Sequence, residues 1–342
     1  MEGVRQLRHF RFVGSRVVKT GVSVFLTAWL CTILGWPPVF AVITAIVTIE
    51  PTVTDSIRKG MVRFPASAIG SAYAVLFIAL FGNSAITYAL AAVFTITTCF
   101  KLKLHAGLLV ATLTSVAMIE VIHTNLLISF FIRLGTTTIG IGVSTLVNFF
   151  ILPPDYRKEI AGHVNHIGKQ TAISIESIFH RIFKGDRKHL GKDSELLKDL
   201  EKEIQKTELL SRYQKQEAKL HPLVGHDKEK FNVIQEKLKI LRLIHDHIDN
   251  LHHAPIEQLS WTDDERSLIL SSVDLLTQVL HHPESYSKKR HQHFQNQIME
   301  IFWEDNIEIT SKKTKHPTKF PPELIILYEL LSIYELVEQY FE

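Results

Sequence analysis

The first 154 residues consist mainly of apolar runs, and six of these runs are candidates for membrane-spanning helices. A helix that crosses about 30 Å of hydrocarbon needs about 20 mainly apolar residues. The runs lie at 15–34, 39–51, 58–80, 84–100, 104–122 and 126–152. The second run is short and ends at Glu50-Pro51, so it is broken or tilted, or it extends through Thr54. The pattern predicts a six-helix transmembrane domain over residues 1–154.

After Pro153-Pro154 the hydrophobic pattern becomes that of amphipathic helices, with apolar residues three and four positions apart. The sequence from Thr262 to Glu265 has the form of a capping box, which starts a helix. Helix breaks are expected near 185–191, 222–225, 255, 283 and 317–322. Residues 155–342 are therefore predicted to form an antiparallel bundle of five or six helices, so the whole fold is expected to be all-α.

Charge separates the same two regions. Residues 1–154 carry 11 Lys or Arg and 4 Asp or Glu, whereas residues 155–342 carry 27 and 31. No charged residue occurs between positions 64 and 100. This distribution argues against a cytosolic enzyme of two similar halves and against intrinsic disorder. The basic excess flanks the apolar runs, so it gives no reason to expect a nucleic-acid partner.

The basic residues also predict the orientation of the six spans. If the chain crosses six times, every basic cluster falls on one side of the membrane, and the three loops on the other side carry no Lys or Arg. Because basic residues concentrate on the cytoplasmic side, both termini are expected to be cytoplasmic. The clusters are Arg5 to Lys19 before and at the start of the first span, Arg58-Lys59, Lys101 with Lys103, and Arg157-Lys158.

Related patterns recur 70 residues apart in the first region. The stretch 41–50 lies over 111–120, and the same offset aligns Glu50 with Glu120, Arg63 with Arg133, and Gly70 with Gly140. Each unit would hold three helices, an odd number, so the second unit must be inverted relative to the first. Inverted repeats that meet near the midplane are a common transporter plan.

The repeat contains four ionisable residues inside or near the predicted spans. Such groups are costly in lipid, so they usually face the protein interior or a water path. One interpretation is that Arg63 and Arg133 bind an anionic substrate, with Glu50 and Glu120 as their partners or as proton carriers. The alternative is that each Arg reaches lipid headgroups or pairs with a Glu to lock helices together. For the two Glu residues, a position at helix ends near the interface needs no special function.

Fifteen of the 18 histidines lie after residue 154. The best metal candidate would combine His245 and Asp249 with His252 or His253 on one helix face, and no fourth ligand is evident. A solvated or partly packed helix surface explains these histidines better. Cys31 and Cys99 both lie inside apolar runs, which leaves no disulfide framework. We therefore expect no metal and no cofactor.

Several motifs resemble the aromatic acid exporter family, within the broader fusaric-acid-resistance-like inner-membrane proteins. They are Trp36-Pro37-Pro38 through Glu50-Pro51, Ser56 to Gly60, Arg63 with Gly70, Arg133 with Gly140, and Val147-Asn148 before Pro153. The resemblance is strong over residues 1–154 and loose beyond them. It implies a plasma-membrane protein that exports aromatic carboxylates. Larger relatives carry two six-span blocks, so the single block here implies a homodimer or a higher homo-oligomer.

Two functions are compatible with these observations. The first is a secondary transporter that expels aromatic or similar organic anions. Proton coupling fits better than ATP hydrolysis, because the chain has no Gly-rich phosphate loop. The second is a membrane scaffold that does not transport and whose cytoplasmic bundle oligomerises or recruits a partner. An enzyme is not expected, since the spans contain no metal motif and no nucleophile arrangement. The expected partners are lipid, further copies of the chain and a small organic anion.

Overall fold

A computed structural model describes residues 14–121, 125–151, 153–184, 190–254, 259–311 and 321–342. Within these ranges the chain forms twelve α-helices, one short 3₁₀ turn at Pro283–Ser285 and no β-strand. The all-α prediction is therefore confirmed for the described residues. The first six helices are α1 (Ser15–Ile33), α2 (Pro38–Thr48), α3 (Val53–Phe81), α4 (Ala85–Lys101), α5 (His105–Val121) and α6 (Leu126–Phe150). The other six are α7 (Arg157–Lys184), α8 (Leu190–Glu217), α9 (His226–His253), α10 (Asp263–His281), α11 (Lys288–Ser311) and α12 (Pro322–Phe341).

The chain divides into two compact units, which are described separately below. The apolar unit contains the described residues up to Asp155 together with Tyr213–Pro222. The C-terminal unit contains residues 156–212 and the described residues from Leu223 onward. The short segment 213–222 therefore groups with the first unit, although its first five residues are the end of α8.

Helices α1 to α6 lie at the six positions where the apolar runs predict them. Three of them, α1, α3 and α6, are long and apolar enough to cross a membrane, while α2, α4 and α5 are shorter apolar helices. The second helix ends at Thr48, before Glu50, and does not extend through Thr54. The third helix starts at Val53, five residues earlier than predicted, because the Thr52 hydroxyl accepts a hydrogen bond from the Asp55 N–H and caps it.

The helices of the apolar unit pack in two groups of three with matching contacts. Helices α1, α2 and α6 form the first triplet, and α4, α5 and α3 form the second. Helix α1 packs on α2 and α6, and α4 packs on α5 and α3. Helix α2 lies against α6, α5 lies against α3, and α3 crosses α6. Two glycines permit close contacts with the backbone of a neighbouring helix: a Cβ at Gly70 would lie 2.6 Å from the Ala111 carbonyl oxygen, and one at Gly140 would lie 2.5 Å from that of Ala41. Small residues allow such contacts between membrane helices.

Helices α1 and α4 end in turns of the same form. After α1, the Trp36 N–H donates to the Cys31 carbonyl at 2.9 Å, and Gly35 has a φ of +68°. After α4, the Leu104 N–H donates to the Cys99 carbonyl at 2.8 Å, and the residue with positive φ, at +58°, is Lys103. A left-handed residue after a helix is a common stop signal that glycine accepts most easily. The second turn forms with a lysine, so glycine content alone does not reveal it.

The C-terminal unit has one hydrophobic core, to which all six of its helices contribute. The predicted stripes on α8, α9 and α12 face this core, with Leu200, Leu241 and Tyr334 almost fully buried. The capping box at the start of α10 is confirmed, because Thr262 and Glu265 exchange the expected hydrogen bonds. Of the predicted breaks, residues 185–189, 255 and 317–320 lie outside the described residues, and so do Arg5, Arg8 and Arg11.

Candidate anion site in the apolar unit

Arg63 lies ten residues into α3, which is about 15 Å along the helix. Its Nη2 donates to Glu50 Oε1 at 2.7 Å, and its Nε donates to the Ala106 carbonyl at 3.2 Å. Lys59 Nζ is 2.8 Å from the other oxygen of the same carboxylate. Arg63 therefore joins α3 to the segment after α2 and to the start of α5. Among the two interpretations of this arginine, the geometry favours a helix-locking ion pair.

A chain of buried hydrogen bonds holds the segment that carries Glu50. Lys19 Nζ donates to Asn148 Oδ1 at 2.9 Å, and Asn148 Nδ2 donates to Ser56 Oγ at 2.9 Å and to the Glu50 carbonyl at 3.1 Å. Ser56 in turn donates to the Thr48 carbonyl. These bonds connect α1, α6 and α3 around the end of α2. They give a structural role to Asn148, in the motif before Pro153, and the spacing of that motif alone does not reveal this role.

The segment 213–222 adds a carboxylate to the same end of α3. Glu217 is buried, and its Oε2 accepts a hydrogen bond from the Val53 N–H, the first of the helix, at 3.1 Å. Its other oxygen lies 2.8 Å from His221 Nδ1, and Thr52 donates to Gln216 at 3.3 Å. An anion is stabilised at a helix N-terminus by the unpaired N–H groups and the helix dipole. No motif in the sequence indicates this contact.

Arg133 is the most deeply buried basic residue described in the apolar unit, at 1% exposure. Its Nη1 donates to Thr137 Oγ1 at 2.7 Å, one turn further along α6. Its guanidinium carbon lies 4.8 Å from the centre of the Phe40 ring. Its Nε and Nη2 have no hydrogen-bond partner among the described residues. Arg133 thus differs from Arg63, because the described ranges give it no carboxylate.

Phe40 connects this guanidinium to an apolar cluster. Its ring is buried together with Phe77 and Met118, and Tyr73 and Tyr88 pack around the edge of the cluster. A cation over an aromatic face gains about 0.5–2 kcal/mol, more when water is excluded. One face of the guanidinium is therefore satisfied, whereas the Nε–Nη2 edge is not. Buried donors without acceptors are costly, so an unpaired guanidinium edge at this depth needs an explanation.

The fourth predicted residue, Glu120, lies apart from this arrangement. It is exposed near the end of α5, and its Oε1 accepts a hydrogen bond from the Tyr88 hydroxyl on α4. The structure therefore brings Glu50 and Arg63 together and does not pair Glu120 with Arg133. The sequence missed Phe40 and Tyr88 as neighbours of these residues. The contact of Arg133 with Thr137 could be predicted from the sequence, since the two residues are four positions apart on one helix face.

Comparison with known proteins places these residues in a family context. The profile described as "Aromatic acid exporter family member 1" matches residues 11–151, which include Glu50, Arg63, Glu120 and Arg133. A UPF0421 protein of Oceanobacillus iheyensis is 51% identical, with 96% of this chain and 95% of that protein covered. A UPF0421 protein of Bacillus cereus is 41% identical over 98% and 95% of the two chains. One of Staphylococcus saprophyticus is 35% identical over 97% and 98%.

The chain belongs to the UPF0421 group of the aromatic acid exporter family. Membership in this exporter family, together with the apolar helices, identifies it as a membrane protein and favours a transporter over an enzyme. The resemblance found in the motifs is thereby confirmed. The names of the UPF0421 relatives specify no substrate.

The family profile ends before the C-terminal unit, where most of the histidines lie. His252, on α9, lies beside Arg181, whose Nη2 donates to the His252 carbonyl at 3.1 Å. Burial and the Arg181 charge lower the pKa of His252, so it tends to stay neutral. His245 Nε2 faces the Leu197 carbonyl. Within the ranges described, no three His, Cys, Asp or Glu side chains are placed to hold a metal ion.

Proposed function

We propose that this protein exports aromatic carboxylates or similar organic anions across the plasma membrane as a secondary transporter. The observation that carries the proposal is the buried Arg133 guanidinium, which has two unpartnered N–H groups and an aromatic ring against its face. The proposed driving force is the proton gradient, since the sequence contains no Gly-rich phosphate loop.

The shape of the unpaired edge matches a carboxylate. Nε and Nη2 are the two nitrogens whose N–H groups point the same way from one side of a guanidinium. Two parallel N–H groups bind both oxygens of a carboxylate, and this charge-assisted pair is stronger than neutral hydrogen bonds. The apolar cluster that contains Phe40 and Phe77 lies beside the guanidinium and offers aromatic surface to a ring. The neighbourhood of Arg133 therefore fits both parts of an aromatic acid.

The proposed topology has six spans, two inverted three-helix repeats and cytoplasmic termini. Matching contacts support it: Gly70 meets Ala111 and Gly140 meets Ala41, and each pair is related by the same 70-residue offset. Ser67 and Thr137 have this offset as well, and their hydroxyls hydrogen-bond each other at 3.1 Å. Equivalent residues touch in this way where a two-fold axis passes between them. Arg133 is one helical turn from that point, where transporters with inverted repeats bind their substrates.

Uptake of radiolabelled 4-hydroxybenzoate into proteoliposomes with an imposed proton gradient tests the function. Wild-type protein is expected to transport, and Arg133→Ala to lose transport at least tenfold. Arg133→Lys keeps the charge but not the parallel N–H pair, so it is expected to fall between them. Glu304→Gln, an exposed carboxylate on α11, is the matched control with normal transport. Gel filtration and a melting curve of each variant confirm that it is folded.

Two results would contradict the proposal. One is the absence of transport of hydroxybenzoate and other organic anions by folded wild-type protein, which would favour the scaffold function. The other is transport by Arg133→Ala at the wild-type rate. That result would place the substrate elsewhere in the unit.

A further inference from the structure

The two Glu–Arg pairs related by 70 residues are in different states. In the first, Glu50 binds Arg63 at 2.7 Å. In the second, Glu120 binds the Tyr88 hydroxyl, and the Arg133 edge has no acceptor among the described residues. The helices around the two pairs pack in matching ways, whereas the carboxylates and the backbone that carries them differ.

The backbone explains why only one pair forms. Helix α2 ends at Thr48, and Ile49 is extended, so Glu50 lies in a non-helical segment that reaches across to α3. The counterpart of Thr48 is Met118, which lies inside α5, because that helix continues to Val121. Glu120 is therefore fixed on the exposed side of a helical turn that has no equivalent in the first triplet.

A buried arginine is stabilised whenever a carboxylate lies against it. Removing one partner of a buried ion pair leaves an uncompensated charge, which is strongly destabilising. If a substrate carboxylate binds Arg133 and then leaves, an internal carboxylate that takes its place lowers the cost of its departure. Of the four carboxylates described in the apolar unit besides Glu120, Glu50 and Glu217 already hold Arg63 and the Val53 N–H. Asp55 lies in the first turn of α3, and Asp155, beyond the end of α6, has an interaction of its own. Glu120 is held by a neutral hydroxyl only.

We infer that Glu120 is the internal carboxylate that replaces the substrate on the Nε–Nη2 edge of Arg133, after the last turn of α5 unwinds to the form seen at the end of α2. This inference rests on the proposed function. In the state described here Tyr88 holds Glu120 away, which leaves Arg133 ready for substrate. Release of Glu120 from Tyr88 lets it displace the bound anion, so substrate and Glu120 compete for the same two N–H groups.

Competition predicts opposite effects of two substitutions on affinity. An apparent dissociation constant equals the intrinsic one divided by the fraction of protein that is competent to bind. Glu120→Gln removes the competitor and is expected to tighten binding severalfold while it slows turnover, because nothing displaces the substrate. Tyr88→Phe frees Glu120 and is expected to weaken binding severalfold.

Equilibrium binding of radiolabelled 4-hydroxybenzoate to the full chain in lipid nanodiscs measures both effects, with Glu304→Gln as the charge control. Tighter binding and slower transport by Glu120→Gln support the exchange. Unchanged or weaker binding by Glu120→Gln overturns it, even if Arg133 proves to be the substrate site. The exchange and the site are therefore tested separately.

A second measurement needs no substrate. Melting temperatures of Glu120→Gln, Arg133→Gln and the double variant form a double-mutant cycle, which is non-zero only if the two side chains interact in some of the molecules. The pair Glu50 and Arg63 is the positive control, and Glu120 with Arg63 is the negative control. Coupling between Glu120 and Arg133 above the negative control supports the inference. Coupling equal to the negative control overturns it, even if hydroxybenzoate is not the substrate.

Discussion

Replacing Gly140 with alanine tests the close packing of α2 and α6 that sets the position of Arg133. The added Cβ would lie 2.5 Å from the Ala41 carbonyl oxygen and 2.9 Å from Thr44 Cβ. Ordinary contacts of a Cβ begin at 3.4 Å, so the two helices must separate by about 0.9 Å. Extra atoms in a well-packed interior cost about 1–3 kcal/mol.

Gly142 on the same helix is the matched control, because a Cβ there meets nothing within 4 Å. Both substitutions gain the same helix propensity, up to about 1 kcal/mol. The difference between the two variants therefore isolates the steric cost, about 1–3 kcal/mol. At about 2–4 °C per kcal/mol, Gly140→Ala is expected to melt several degrees below Gly142→Ala.

The two cysteines of the chain make this difference measurable in one unit. Cys31 and Cys99 are buried in the apolar unit, so a thiol-reactive fluorophore reports its unfolding and not that of the C-terminal unit. Melting temperatures of Gly140→Ala and Gly142→Ala within about 1 °C of each other would refute the packing argument. Gly70→Ala, which meets the Ala111 carbonyl, is expected to behave like Gly140→Ala.

Three further predictions concern single side chains. Burial lowers the pKa of His291, so the unfolded chain takes up a proton that the folded protein excludes, and the melting temperature should fall as pH drops below about 6.5. His291→Gln should reduce this dependence of melting temperature on pH, and an unchanged dependence would contradict the prediction. Arg181→Ala removes the arginine that lies 2.7 Å from the buried Asp193, so it should lower the free energy of unfolding by about 3–5 kcal/mol in thermal melts. A decrease below about 1 kcal/mol would contradict a stabilising role of this ion pair. Phe40→Leu removes the ring below the buried guanidinium and should weaken hydroxybenzoate binding about threefold to tenfold, with equal affinity as the contrary result.

The apolar runs were sufficient to place all six helices of the first unit, because a long apolar stretch has few other folds. The helix boundaries were harder to predict. The start of α3, for example, depends on a single side chain, the Thr52 hydroxyl that caps it. The spacing of Glu50 and Arg63 allowed an ion pair or a substrate site, and only their 2.7 Å contact favours the first. Such choices depend on where a carboxylate points, which hydrophobic patterning does not encode.

The neighbours of Arg133 were harder to predict. Phe40 is 93 positions away in the sequence and looks like any other apolar residue of its helix. Tyr88 lies on α4 and Glu120 on α5. Their contact depends on α5 continuing past the point that corresponds to the end of α2. The grouping of residues 213–222 with the apolar unit leaves no trace in composition, because Glu217 resembles the exposed carboxylates around it.

The central claim is that Arg133, and not Arg63, binds the carboxylate of the substrate. Equilibrium binding of 4-hydroxybenzoate to Arg133→Gln and Arg63→Gln, compared with wild type in nanodiscs, tests it most directly. Two charge-assisted hydrogen bonds of about 1.5–3 kcal/mol each are lost in Arg133→Gln, so its affinity should fall at least tenfold. Folded Arg63→Gln should bind within about threefold of wild type. Equal losses in both variants, or wild-type affinity in Arg133→Gln, would contradict the account.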